Sequence, residues 1–192
     1  MKVVDVAEFY AEEGGGVRTY INQKLEAGRA AGHEVVVIAP GPETREEERL
    51  GGRILWLKGP PMPFDPRYFV LYRQAAVHAA LERERPDVVE ASSPWTGGWF
   101  VRNWKGRALK SFVFHQDPVA VYPETYLDKI LTRHRINQLF GWYWSYLRGL
   151  SNGFDLTLVS GYWLAEKLKK QGLKRPIALP FGIELGNFSP AR

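Results

Sequence analysis

Apolar residues along this chain recur in two alternating rhythms. Short runs rich in β-branched and aliphatic residues read as strands: Val3-Val4-Asp5-Val6-Ala7, Glu34 to Ala39, Arg53 to Leu57, Asp87 to Ala91, Ser111 to Phe114, Asp155 to Val159 and Ile177 to Leu179. Longer stretches between them repeat at helical spacing. In 16–31 the residues Val17, Tyr20, Ile21 and Leu25 share a face, and Gly32 is placed to close the helix. Further helices are expected over 67–85, stopped by Pro86, in a short piece after Gly98, from about Thr125 to Leu150, and from 160 to about Gln171. The charged stretch Glu43 to Arg49 reads as a solvated loop or short helix. The proline-rich segment Gly59 to Pro66 can be neither helix nor central strand.

This alternation predicts an α/β fold, a doubly wound parallel (Rossmann-like) sheet of about seven strands with helices on both faces. In such folds the ligand crevice lies beyond the carboxyl ends of the strands. One rim is therefore expected to collect Gly14 to Gly16, Ser92 and Ser93, His115-Gln116-Asp117, Ser160, and Phe181-Gly182-Ile183-Glu184.

Composition narrows the picture. At 192 residues the chain suits one domain with a real core. It has no cysteine, which excludes disulfides and thiolate metal sites. No stretch approaches the ~20 apolar residues of a membrane span, and the first residues enter a strand with no signal-peptide pattern. A cytoplasmic placement is expected. The net charge of +5 suits anionic partners. The aromatic residues form no recognisable RNA-binding motif, so a nucleic-acid partner is not expected. His33, His78 and His134 share no spacing with carboxylates that suggests a metal site, and no metal or other cofactor is expected.

The candidate chemistry begins at Gly14-Gly15-Gly16-Val17-Arg18, between the first strand and the first helix. Glycines there let the backbone approach a ligand closely. The helix that follows aims free N–H groups and its positive dipole end into the gap, which favours a phosphate or a leaving anion. A tight turn is the other reading of the same glycines. No Gly-Lys-Ser/Thr follows, so this is not a Walker A loop. Thr19 holds the third glycine position of a dinucleotide fingerprint, and Ile38-Ala39-Pro40-Gly41 offers no acid for a ribose. A nicotinamide or flavin dehydrogenase is disfavoured.

Four segments in order carry a family resemblance. Gly-Gly-Gly-Val-Arg-Thr-Tyr with Gly32-His33-Glu34-Val35-Val36-Val37, then Arg85-Pro86-Asp87-Val88-Val89-Glu90, then Phe114-His115-Gln116-Asp117, then Pro180-Phe181-Gly182-Ile183-Glu184 with Phe188-Ser189-Pro190, together resemble the family 4 retaining glycosyltransferases of GT-B fold. The flavour is closest to bacterial lipid-linked sugar transferases. Phe181 departs from that pattern, which has asparagine there. The resemblance implies a Rossmann-like N-terminal, acceptor-side domain over residues 1–180, with 181–192 beginning the crossover to a C-terminal domain. The basic residues and the Glu-x7-Glu segment by which that second domain holds the donor have no counterpart in 1–192, so this half alone is expected not to transfer sugar.

The implied reaction moves a sugar from a nucleotide-diphosphate donor to a lipid-linked or glycan acceptor with retention. The glycine loop and Arg18 would face the leaving diphosphate, although an arginine in a first helical turn also sits readily on the surface. The resemblance puts His115 against the donor sugar or the acceptor as the catalytic side chain; the plainer reading is a histidine satisfying the backbone at a strand end. Asp117 either steers an acceptor hydroxyl or is a turn residue. Ser92 and Ser93 are acceptor contacts or turn residues, and Gly182 joins the substrate-binding set through the fourth segment. An epimerase of the same fold and a non-catalytic anion-binding module remain as alternatives. On the long helix, Lys129, Arg133, Phe140, Trp144 and Arg148 fall on one broad face, with Leu127, Leu131, Leu139, Trp142, Tyr146 and Leu150 toward the other and Gly141 as a candidate kink. The first face is expected either to meet an anionic membrane surface as a peripheral contact or to pack on a loop or the second domain.

Overall fold

The strand β1 (Lys2–Val6) lies inside an eight-stranded sheet whose order is β10 (Pro176–Ala178), β9 (Leu156–Val159), β8 (Leu109–Phe114), β7 (Val88–Ala91), β1, β2 (Glu34–Gly41), β4 (Gly52–Lys58) and β3 (Arg45–Arg49). A computed structural model describes residues 1–13, 15–63, 65–115, 117, 119, 125–127 and 129–180, without the side chains of residues 125, 133 and 134. All neighbours pair parallel except β3 with β4. The chain builds outward from β1 through β2 to β4, then returns to β7 and builds the other way. The order reverses between β1 and β7, and this switch point is where a ligand crevice opens in such sheets.

The seven expected strands are all present. The eighth, β3, is the stretch expected to be loop or short helix. It forms because Leu50 and Gly51 both take positive φ, 53° and 81°, a primed hairpin turn that folds the charged segment back onto β4. Its arginines and glutamates then protect a sheet edge. The proline-rich segment is a separate two-stranded ribbon, β5 (Pro61–Met62) with β6 (Asp65–Phe69). That ribbon takes Tyr68 and Phe69 away from the expected 67–85 helix, which begins only at Gln74 (α2, Gln74–Glu84).

Helices cover both faces. α1 (Gly16–Ala30) lies on one side, where Ile21 and Leu25 pack with Val35, Val37, Ala39, Ile54 and Trp56. It ends as its sequence suggests, with Gly32 at φ +70°. The larger core lies on the other face, where Val4, Val6, Val36, Ile38, Phe112 and Phe114 meet α2, α3 (Thr96–Asn103), α6 (Gly141–Ser151) and α7 (Tyr162–Lys170). The alternation of strand residues between the two faces divides the cores.

The expected long helix is three pieces: α4 (Thr125–Leu127), α5 (Arg133–Leu139) and α6. Phe140, at φ −91° and ψ 19°, ends α5 and begins α6, so the helical phase is reset ahead of Gly141. The outward face drawn through Trp144 is thereby overturned. Trp144 is 1% exposed and packs in the larger core, whereas Trp142 is 67% exposed. Arg148 is also engaged in the fold, donating to the Gln171 carbonyl at 3.0 Å.

Candidate functional site

The switch point is built by the loops that leave β1, β7 and β8. After β1, Tyr10 turns back, its amide donating to the Ala7 carbonyl at 3.1 Å and its hydroxyl to Asn22 of α1 at 3.2 Å. This anchors the approach to the glycine run. Gly14 lies outside the described residues. Gly15 is the N-cap of α1 with no side-chain cap, and no acidic residue occupies the first turn. The amides of Gly16, Val17 and Arg18 precede the first intrahelical bond, Thr19 N–H to the Gly15 carbonyl at 3.2 Å, so they point toward the rim as donors. A Cβ placed on Gly15 or Gly16 would meet nothing within 4 Å, and neither has a positive φ. The fold itself does not demand glycine at these two positions. Arg18, in the same turn, has a buried Nε with no hydrogen-bond partner among the described residues.

A second glycine-bearing helix start, Thr96-Gly97-Gly98 of α3, lies on the same rim and is filled from within. Glu8, buried just after β1, accepts from the Gly97 amide at 3.2 Å and from the Ser93 hydroxyl at 2.9 Å, and bonds the Thr96 hydroxyl. The carboxylate occupies the place where the helix end attracts an anion. Gly98 is needed for close approach, because a Cβ there would lie 2.5 Å from the Ser93 carbonyl oxygen. Ser92 donates to Asp5 at 2.8 Å. Both serines reach the rim, buried, with their hydroxyls committed to internal carboxylates.

Beneath the rim the sheet carries a charged row. Register sets Asp5 of β1 beside Glu90 of β7, and Glu90 beside Ser111 of β8. The Lys24 ammonium of α1 bridges Asp5 and Glu90. Ser111 donates to Glu90 at 3.2 Å, and the Tyr20 hydroxyl donates to it at 3.0 Å. Burial works against the Lys24 charge, yet the two carboxylates outweigh burial and hold its pKa above the ordinary lysine value. Burial raises Asp5 above the ordinary carboxylate range, with Lys24 pulling the other way.

His115 closes β8 half-buried and meets the Tyr20 ring edge-to-face, centroids 4.9 Å apart. The Ser160 hydroxyl donates to its carbonyl at 3.3 Å. Burial, then the nearby Lys24 cation, pushes the imidazole down to about 4, with Glu90 opposing. At neutral pH the ring is an uncharged donor and acceptor. Asp117 is buried, accepts from the Val119 amide at 2.9 Å in a local turn, and is paired with Lys167 of α7. Gly182 and the whole 181–192 crossover lie outside the described residues.

The structure therefore brings Gly15, Gly16, Arg18 and His115 to the same rim, the histidine reaching α1 through Tyr20. Sequence reasoning passed over Glu8, Asp5, Tyr20, Lys24 and Glu90. The available signal was an acid inside an otherwise apolar strand, Val4-Asp5-Val6 and Val89-Glu90-Ala91, with Lys24 one helical turn after Tyr20. Beside the glycine run a cavity of 220 Å³ is lined in part by Glu12, Glu13, Pro42, Trp56, Arg67 and Phe69. Among the described residues no three His, Asp or Glu side chains gather as a metal site requires, and no helix is long and apolar enough to cross a membrane.

Known proteins match the chain over its whole length. The model of the family described as Glycosyltransferase Family 4 matches residues 14–185. A GDP-mannose-dependent alpha-(1-6)-phosphatidylinositol dimannoside mannosyltransferase of Mycobacterium tuberculosis is 28% identical over 193 residues, covering 100% of this chain and 49% of that protein. A GDP-mannose-dependent alpha-mannosyltransferase of Corynebacterium glutamicum is 24% identical over 196 residues, covering 100% of this chain and 46% of its own length. The chain thus spans about half the length of the curated relatives it matches. Among solved structures, the catalytic domain of starch synthase IV from Arabidopsis thaliana aligns at a TM-score of 0.59 and 13% identity, covering 100% of this chain and 53% of that one. Sucrose-phosphate synthase from Thermosynechococcus elongatus aligns at 0.56 and 13% identity, covering 96% of this chain and 91% of that one. These likenesses show the same α/β fold.

Proposed function

Since this chain belongs to glycosyltransferase family 4, we propose that it is the N-terminal, acceptor-side half of a retaining hexosyltransferase that takes its sugar from a nucleotide diphosphate. The observation that carries this reading is the contrast between the two glycine-bearing helix starts: Glu8 fills α3, while α1 has no acid in its first turn or side-chain cap. Preorganised amides there suit the negative charge that develops on a leaving diphosphate, and Arg18 adds a cation to the same turn. His115, neutral and held at the rim, is the side chain for the transferred sugar or the acceptor hydroxyl. The cavity beside the glycine run, with carboxylates, an arginine and aromatic carbon in its wall, suits a polyhydroxylated acceptor head group.

The matched relatives are GDP-mannose-dependent, and one acts on a phosphatidylinositol mannoside. GDP-mannose is accordingly the first donor to test, and a glycosylated lipid the first acceptor. For a membrane contact, the exposed apolar residues Tyr126, Ile130, Leu139 and Trp142, with the exposed Lys129 among them in sequence, take the place of the face through Trp144. They suit a peripheral contact at the cytoplasmic face.

The test is transfer from radiolabelled GDP-mannose to mannolipid acceptors by the enzyme that includes this chain, against G16V, H115A and the 192-residue chain alone. The expected result is transfer by the whole enzyme, loss in both variants and none by the isolated chain. Robust turnover by the 192 residues alone would refute the half-enzyme reading. Full activity in G16V would reduce the glycine run to a turn.

A further inference from the structure

Given that reading of His115, we propose that Tyr20 is its positioning residue and that the buried Lys24–Asp5–Glu90 cluster fixes Tyr20 in turn. The placement follows from the register of the sheet. β1 and β7 put two carboxylates side by side in the interior, where an unpaired charge is costly. Lys24 bridges both, and the Ser92 and Ser111 hydroxyls take up further carboxylate oxygens. This set has one cation for two acids and is anchored on three strands and one helix.

Tyr20 is held by it from two directions. Its hydroxyl donates to Glu90 at 3.0 Å, and the Lys24 ammonium lies 4.4 Å from its ring centroid. With the ring so fixed, its contact with the His115 imidazole sets the plane of that imidazole. An apolar trio of similar volume would pack the same space without burying charge. The charged set gives what apolar packing lacks, a hydrogen-bonded anchor for the tyrosine hydroxyl. Among the described residues, the titratable groups that act on His115 are then Tyr20 and Lys24 from α1 and Glu90 from β7, with Asp5 of β1 behind Lys24. Burial and the Lys24 cation keep the imidazole neutral, so it meets substrate as a hydrogen-bonding group of defined orientation.

Nuclear magnetic resonance of the His115 side chain in this 192-residue chain tests the proposal without any turnover. In the wild type the ring protons are expected to carry a ring-current shift from Tyr20 and to titrate near 4. Tyr20→Met keeps a good helix former but removes the ring. The ring-current shift is expected to vanish and the titration to move toward the ordinary 6.5 as water enters. Tyr20→Phe keeps the ring and loses only the bond to Glu90, so the shift is expected to persist at reduced size. A folded Tyr20→Met chain whose His115 spectrum and titration match the wild type would overturn the positioning role. An unaltered spectrum in Tyr20→Phe would remove the Glu90 tether. In the whole enzyme, Tyr20→Met is expected to lower kcat by roughly tenfold or more with KM for the donor nearly unchanged, since small misplacements of a reacting group are costly. Inactivity of His115→Ala tests the reading of the site itself, and the spectra decide the positioning separately.

Discussion

Glu8 accepts a hydrogen bond from the Gly97 amide at 3.2 Å across 89 residues of sequence, so an acid that follows the first strand caps the third helix. The same carboxylate holds Ser93 and Thr96, and so ties together the two strands that flank the switch point. This relationship fills the start of α3 with an internal carboxylate, whereas the first turn of α1 carries no acid.

Glu8→Ala is expected to destabilise the chain by about 2–3 kcal/mol. It strands a buried serine hydroxyl and a helix-start amide that were bonded to a charge. Glu8→Gln should lie between the mutant and the wild type. Urea unfolding of the three proteins measures this, and a change within about 0.5 kcal/mol for Glu8→Ala, the range of an ordinary surface substitution, would mean the cap is structurally idle.

The glycines divide into two kinds. Gly98→Ala is expected to cost roughly 1–3 kcal/mol, because its methyl meets the Ser93 carbonyl and one of two backbones must move. Gly16→Val meets open space, and its cost is expected to stay under about 1 kcal/mol, the scale of helix propensity. In the whole enzyme the effects should reverse, with Gly16→Val losing on the order of 10²–10³ in rate through the proposed anion site. Thermal melts paired with kcat/KM on both variants check the crossing.

Lys24→Met is expected to be among the most damaging single changes. It leaves Asp5 and Glu90 facing each other without their cation, and breaking a buried pair from one side costs about 3–5 kcal/mol. Adding Glu90→Gln removes one of the two like charges and should recover part of the loss. Denaturation of the single and double variants gives the coupling; additive effects would mean that the three groups do not act together.

His115 makes stability depend on pH in a definite direction. Its folded pKa lies below the ordinary 6.5, at about 4, so the folded chain binds fewer protons than the unfolded chain between those values. The stability it contributes is complete above 6.5 and is lost as pH falls toward 4. Asp5, raised by burial, carries the opposite slope at acid pH. The difference between wild type and His115→Asn isolates the histidine. Melting temperatures should converge as pH falls through this window, and parallel curves would contradict the assignment.

The two tryptophans of α6 divide between core and surface, Trp144 buried and Trp142 exposed. Trp144→Ala is expected to cost about 3–5 kcal/mol by emptying a core site. Trp142→Ala combined with Leu139→Glu should leave the fold intact and reduce co-sedimentation with phosphatidylglycerol vesicles, since Leu139 is 60% exposed. Equal sedimentation of the double variant and the wild type would remove this surface from the membrane reading.

The sequence by itself determined the sheet. Seven apolar runs separated by helical spacing leave few alternatives to a doubly wound fold, because parallel strands need crossovers and a right-handed connection. It also determined the glycine run and His115 as rim residues, since positions just after strands are set by chain order alone. Tertiary structure decided which of these groups remain turned to the rim. Ser92 and Ser93 look equally available in sequence, yet Asp5 and Glu8 take their hydroxyls, a pairing made only when β1 and β7 lie side by side. The charged stretch at 45–49 became a strand because a hairpin at Leu50-Gly51 brought it to β4, a non-local gain that no local charge pattern records. The phase of Trp142 and Trp144 was fixed at Phe140, where the helix breaks so that α6 can lay Trp144, Leu147 and Leu150 into the core. Local pattern sets period and order, whereas pairing across the sheet and burial of large side chains set which groups face one another.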